Sequence, residues 1–212
     1  MRYFERRIII FICSILFAFT AILPDAVNAS SGSVKLYYNS NLSVGLTTSM
    51  QILLSGQGYS AAVSPDPSTT TLSAALSGIN KIVFVHSYGS SASPIIQCSN
   101  GNLTPGAVTS SNIKFAYLST CYSSKVYSSG VSFRQRMTAL GVPMTVGFQD
   151  TISATYSYDG IHFFNNRVIS YMTQGYTLIN ALSMAQADTY SSWGTFAGSN
   201  FVVFTGGTSH LP

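Results

Sequence analysis

The sequence predicts an α/β fold, an open and mostly parallel sheet with helices on both faces. Three observations predict it. Short β-rich runs alternate along the chain with segments whose apolar residues recur at helical spacing. Two of the runs, "KIVFVHS" at 81–87 and "IKFAYLSTC" at 113–121, are nearly continuous apolar stretches, as central parallel strands covered on both sides must be. Glycine, proline, serine and asparagine crowd the connections between runs.

Residues 1–29 stand apart from this pattern. Arg2, Arg6 and Arg7 precede the apolar run Ile8 to Leu23, and "AVNA" follows, with small residues at Val27 and Ala29. That order predicts a cleaved secretory signal peptide, because the apolar run is shorter than the roughly 20 residues a membrane-spanning helix needs. An uncleaved N-terminal anchor is the alternative. The expectation is a secreted, extracellular single domain at 30–212. No second long apolar run follows, so no membrane contact is expected after cleavage.

Within that domain, "VKLYY" (34–38) is a first strand and "LTTSMQILLSGQGY" a helix ending in glycines. "SAAVSP" is a second strand closed by the turn-forming "PDP". "TTTLSAALSGIN" is a helix begun by a threonine cap and stopped at Gly78. "KIVFVHS" and "IKFAYLSTC" are the third and fourth strands, with "IIQCSNGNLTP" in the loop between them. "VSFRQRMTALG" is a helix leading to a fifth strand in "VPMTVGFQD". "GIHFFNNRVISYMTQG" and "TLINALSMAQADTY" are helices, and "NFVVFTGG" is a sixth strand. No internal repeat is visible.

The full chain carries 10 Lys and Arg against 6 Asp and Glu, a formal charge of +4. Loss of residues 1–29 removes Arg2, Arg6, Arg7, Glu5 and Asp25 and leaves about +3, thinly spread. Without a basic cluster the nucleic-acid class lacks its electrostatic footprint. No G-x-S-x-G elbow, Gly-rich phosphate loop or metal-ligand spacing of His and Cys is present. No metal and no cofactor is therefore expected.

In an open parallel sheet, reactive groups gather at the carboxyl edge of the strands. His86 and Cys121 both fall at that edge. If their strands are neighbours, about 4.8 Å apart, the loops can bring imidazole and thiol to one groove. A thiol is weakly ionised at neutral pH, and a nearby imidazole raises the thiolate fraction. Gly89 and the amide of Cys121 are candidate donors to an oxyanion. Blander roles stand beside these: His86 as a strand-end residue satisfied by backbone, and Cys121 as buried apolar filler. In an exported chain Cys98 and Cys121 could also form a disulfide. Asp150, ending the fifth strand, could orient a histidine or hold a basic substrate side chain, or simply cap the segment after it. Asp159 reads as a turn residue, His162 as core or surface, and His210 as part of a mobile terminus.

The strand ending in a His/Gly loop, the later strand ending in "LSTC", then "GVPMTVGFQD" and "FFNNRVISYMTQGYTLINALSMA", together resemble the clan CD cysteine peptidases. That group includes caspases, gingipains and separase, and the downstream pattern is most similar to its CHAT branch. The likeness covers roughly residues 81–190, and "IKFAYLSTCYSS" is its best motif. The resemblance implies a three-layer caspase-haemoglobinase fold and cleavage of a peptide or protein substrate through a thioester. By position, Cys121 would be the nucleophile and Gly89 part of the oxyanion hole, with His86 the base only if it reaches the groove from two positions earlier than the family's histidine. One departure stands out. In these families the catalytic histidine directly precedes a glycine, whereas here "HSYG" puts Tyr88 in that place. Two functions follow as expectations: a cysteine peptidase, or a degenerate homologue that binds a peptide or surface partner without cutting it. Oligomeric state and substrate preference have no signal in the sequence.

Overall fold

The computed structural model describes residues 32–42, 44–128, 130–152, 160–193 and 202–212. The expected signal peptide and Asp159 lie outside the described residues. In chain order the elements are β1 (Gly32–Tyr38), α1 (Val44–Gly56), β2 (Tyr59–Pro65), α2 (Thr69–Ser77), β3 (Ile82–Ser87), β4 (Ile96–Cys98) and β5 (Gly101–Leu103). After a 3-10 turn at Pro105–Ala107 come β6 (Phe115–Thr120), α3 (Phe133–Ala139), β7 (Met144–Phe148), α4 (Gly160–Thr173), α5 (Leu178–Trp193) and β8 (Val202–Thr205).

The main sheet has the order β2-β1-β3-β6-β7-β8. Its pairs are parallel up to β7, and β8 returns antiparallel along the edge. Side chains alternate between two buried layers, as the two-residue period of a strand requires. Ile82, Phe84, Phe115 and Tyr117 point to the layer filled by α1, α4 and α5. Val83, Val85, Ala116 and Leu118 point to the other, filled by α2, α3 and the β4–β5 hairpin. Every residue of β3 and β6 is buried, which is why the sequence shows them as continuous apolar runs. The predicted three-layer α/β architecture is therefore present.

Two local expectations are corrected, and one strand direction is added. The "IIQCSNGNLTP" segment is not a plain loop: Ile96–Cys98 and Gly101–Leu103 pair antiparallel, with Gly101 at φ 135° on the far side of a tight turn. The cap of α2 is Ser68, whose side chain accepts the amide hydrogen of Thr71, rather than a threonine. The last strand pairs antiparallel with β7, which short β-propensity runs do not reveal.

The chain steps outward from β1 to β2, then crosses back so that β3 lies on the other flank of β1. Such a reversal opens a crevice at the carboxyl edge, because the loops leaving neighbouring strands diverge there. The Asn39 amide closes the floor of this seam by donating to the His86 carbonyl at 2.9 Å.

At this edge, in the layer of α2 and α3, α3 starts with a reciprocal cap, its Arg134 amide donating to the Ser123 carbonyl at 3.0 Å. The Ser132 hydroxyl accepts from the Gln135 amide, and the Gln135 side chain accepts from the Ser132 amide. Ser132 is fully buried, so loss of its oxygen leaves an amide without its partner away from water. Ser132→Ala is expected to cost about 1–2 kcal/mol, read as a lower denaturant midpoint with an unchanged slope.

Candidate functional site

The site is set by the pairing of β3 with β6, which places His86 directly opposite Ser119. Both side chains point into the α1/α4/α5 layer, on the same face as Phe84 and Tyr117. His86 is fully buried there. Its Nδ1 lies 3.2 Å from the Ser119 carbonyl and 3.0 Å from the Ser119 hydroxyl. The carbonyl only accepts, so the tautomer that satisfies it carries the hydrogen on Nδ1 and leaves Nε2 bare. That nitrogen meets Nε2 of His162, from α4, at 3.0 Å, with the two rings nearly edge to face.

The polar chain continues inward. The Asn165 amide donates to the Ser119 hydroxyl at 2.7 Å and accepts from the Tyr117 hydroxyl, also at 2.7 Å. Burial, aided by the second imidazole, holds the His86 pKa down to about 3, so the ring is neutral at ordinary pH.

Cys121 follows β6 at the carboxyl edge, and the chain turns sharply after it, with Tyr122 in the left-handed region at φ 60°. Its sulfur is only partly buried and contacts the backbone of Ile152, receiving that amide's hydrogen at 3.3 Å and approaching its carbonyl at 3.5 Å. Burial pushes the thiol pKa above its ordinary value. The amides of Ile152, Cys121 and Gly89 face the sulfur and pull the other way without cancelling that rise, and the charge of Asp150 adds to it. Gly89 lies so close that a Cβ there would overlap the Cys121 carbonyl, so the β3 loop reaches this position only as glycine.

The sequence-predicted residues thus share one edge but separate into two levels. Gly89, Cys121 and Asp150 come together at the surface of the groove. His86 lies below, across from Ser119, and both of its ring nitrogens contact groups other than the Cys121 sulfur. The spacing explains the separation. His86 and Ser119 each lie two residues before the edge positions, Tyr88 and Cys121, and two strand residues span about 6.7 Å on one face.

Asp150 accepts from the amide of Thr151, and the segment after Ile152 that it would cap lies outside the described residues. Cys98 and Cys121 are both free thiols, and Cys98 belongs to the opposite layer, so the disulfide alternative is removed. His210 is tied down, its Nδ1 donating to the Gly175 carbonyl at 2.9 Å.

Around the groove stand Tyr88, which is 39% exposed, and Tyr122 and Tyr127, with the Lys125 ammonium between the last two at 5.3 and 5.6 Å from the ring centres. Lys125 also donates to the Ser91 carbonyl, which pins the two loops together. Among the described residues no cluster of three His, Cys, Asp or Glu side chains could hold a metal ion, and no helix is long and apolar enough to cross a membrane. Sequence reasoning missed Ser119, Asn165 and the pairing of His162. A serine inside an apolar strand was the available signal, since a buried hydroxyl requires a partner.

No protein-family model and no curated protein matches this chain. Solved structures do. Gingipain R, an Arg-specific cysteine proteinase, superposes with a TM-score of 0.66 at 11% identity, covering 84% of this chain and 47% of its own. This chain therefore spans about half the length of that relative. The separase–securin complex of Saccharomyces cerevisiae matches with a TM-score of 0.51 at 13% identity, over 91% of this chain and 13% of that one. A pro-caspase-1 matches with a TM-score of 0.51 at 8% identity, over 85% of this chain and 92% of that one. All three are cysteine peptidases of clan CD, and the fold here is the caspase- and gingipain-like fold.

A buried thiol without a contacting base ionises late. Alkylation of Cys121 by iodoacetamide is expected to keep accelerating above pH 9, whereas an activated thiol would already react at its limiting rate near pH 7. Rates measured across pH 6–10 with peptide mapping of the modified cysteine distinguish the two.

Proposed function

We propose that this chain is an exported, peptide-binding protein of caspase-like fold that does not hydrolyse its ligand. One observation carries the reading: the strand-edge histidine spends Nδ1 on Ser119 and Nε2 on His162. A general base must come within hydrogen-bond reach of the proton it takes, about 2.6–3.2 Å. The residue next to Gly89 is Tyr88, and a phenol is a poor general base for a thiol proton. The elevated thiol pKa points the same way.

What remains is an edge with the means to hold an extended backbone. Gly89 packs its bare Cα against the Cys121 carbonyl and so keeps the two loops together, three amides gather around the sulfur, and tyrosines border the edge. Tyrosine gives large contact area at low entropic cost and is favoured at recognition surfaces. Asp150 at the same edge would meet a basic ligand side chain. The solved relatives include a complex of gingipain pro- and mature domains and a separase bound to securin, which supports a peptide or protein as the ligand class. Export rests on the sequence of residues 1–29 alone.

The second reading is a peptidase, in which Cys121 attacks the scissile carbonyl, His86 takes and returns the proton, and the amides of Gly89 and Cys121 hold the oxyanion. The amides gathered around the sulfur favour it. It requires His86 to leave both buried partners and rise to the level of the groove.

Two measurements on the mature chain separate the readings. A combinatorial library of fluorogenic peptides is expected to show no turnover beyond that of Cys121→Ala, and turnover abolished by that substitution overturns the proposal. A displayed random-peptide library is expected to yield ligands whose affinity falls about tenfold in Tyr88→Ala and Tyr122→Ala, the loss typical of one interface aromatic. Failure to capture any peptide whose binding depends on these tyrosines also overturns it.

A further inference from the structure

The second layer of the groove holds a device that does not depend on what the groove binds. We propose that the His86–His162 pair is an acid-operated latch, which fastens the start of α4 to β3 near neutral pH and releases it as the pair takes up protons. The geometry is specific. With the Ser119 carbonyl satisfied by Nδ1–H, Nε2 of His86 accepts from Nε2 of His162 at 3.0 Å, in a mainly apolar layer. The contact is the polar tie between β3 and α4, while α4 meets β6 through Asn165 and packs on the layer through Ile161, Phe164 and Val168.

A proton arriving at His86 has one place to go, the Nε2 facing His162. The pair can share it only if the His162 hydrogen moves to the other ring nitrogen, and the result is a cation in an apolar layer. A second proton sets two imidazolium rings 3.0 Å apart.

Among the described residues no anionic side chain lies against His86. Its neighbours on β6 are the Ser119 carbonyl and hydroxyl, and further along that strand the neutral phenol of Tyr117 and the thiol of Cys121. Tyr38 stands opposite it on β1, and α1 has no ionisable side chain at all. On α4 the charged group is Arg167, a cation, which pairs with Asp188 of α5 at 3.1 Å. The described carboxylates are committed elsewhere: Asp66 to the Ser40 amide, Asp150 to the Thr151 amide, and Asp188 to Arg167 and Tyr171.

Water has a short route to the pair. A cleft of about 570 Å³ between α1 and α4, bordered by Leu46, Ile52, Phe163, Arg167 and Trp193, has His162 in its wall. Once α4 swings outward the imidazoles can be hydrated through this opening, so charging the pair favours local release over loss of the whole sheet.

The sign of the linkage follows from His86 being held neutral, with a folded-state pKa of about 3 against an ordinary 6.5. Its contribution to holding the folded state is complete above about pH 6.5 and is lost as pH falls toward 3, at up to tenfold in the opening equilibrium per pH unit.

Hydrogen exchange on the full mature chain, corrected for intrinsic rates, tests this. Between pH 7.5 and 4.5, protection in residues 160–168 is expected to fall at least tenfold while β3, β6 and β7 keep theirs. The double variant His86→Gln/His162→Gln, which keeps hydrogen-bonding side chains that do not titrate, is expected to flatten that change. Protection of α4 that is independent of pH, or that falls equally in the double variant, overturns the latch. Should the double variant not fold, imidazole resonances of the unaltered protein serve instead: the two buried rings must titrate together with the loss of α4 protection. Titration of both rings with α4 protection intact overturns it as well.

Discussion

The structure depends on one constraint: polar groups placed inside a dry layer of the sheet must satisfy one another. Tyr117, Ser119 and His86 bring hydroxyl, hydroxyl and imidazole to a face otherwise made of Phe84, Phe115 and Val146. An unpartnered group there would cost about 1–3 kcal/mol, comparable to a large share of a domain's net stability. Asn165 and His162, one helical turn apart on α4, answer from the other side. The helix is thereby fixed in rotation and height against β3 and β6. Apolar contacts alone would leave both freer, because they are not directional.

That fixed register decides the chemistry at the edge. Because His86 pairs opposite Ser119, the imidazole lies one pleat repeat below Cys121. Its hydrogen-bonding capacity is consumed before the groove is reached. The same alignment puts Gly89 against the Cys121 backbone, where its lack of a side chain keeps the loop close and leaves amides around the sulfur. The edge thus gathers the thiol and backbone amides and leaves the imidazole one level deeper.

Much of the fold was legible in the residues. β3 and β6 declare themselves because both faces are buried, and α2 because a polar cap and Gly78 bracket its apolar spacing. The β4–β5 hairpin was hidden by its length, since three residues give no period to read, although "SNG" is a turn signal. Strand direction at β8 was hidden because β-propensity carries no polarity. At the site, the sequence named the edge and the thiol correctly as neighbours of Gly89 and Asp150. It gave no means of telling that His86 points inward, because that depends on which residue of β6 stands opposite. Register is a property of two strands together and is set by the packing of both.

The two-residue shift of the histidine from position 88 to position 86 has a consequence that a one-residue shift would not. Side chains two apart on a strand share a face, so the imidazole stays in the same layer and descends about 6.7 Å along the strand, away from the edge. A histidine at position 87 would have faced α2 and α3 instead, where the Ser87 hydroxyl now donates to the Gln97 carbonyl. The observed placement takes the ring out of the groove while keeping it among α1, α4 and α5. Only there can a helix residue such as His162 reach it. A group that titrates on the surface near neutral pH becomes, one repeat deeper, a neutral member of the core whose charging is resisted by the whole layer. Depth along a strand therefore decides whether the same side chain meets solvent or core, and at this edge it meets the core.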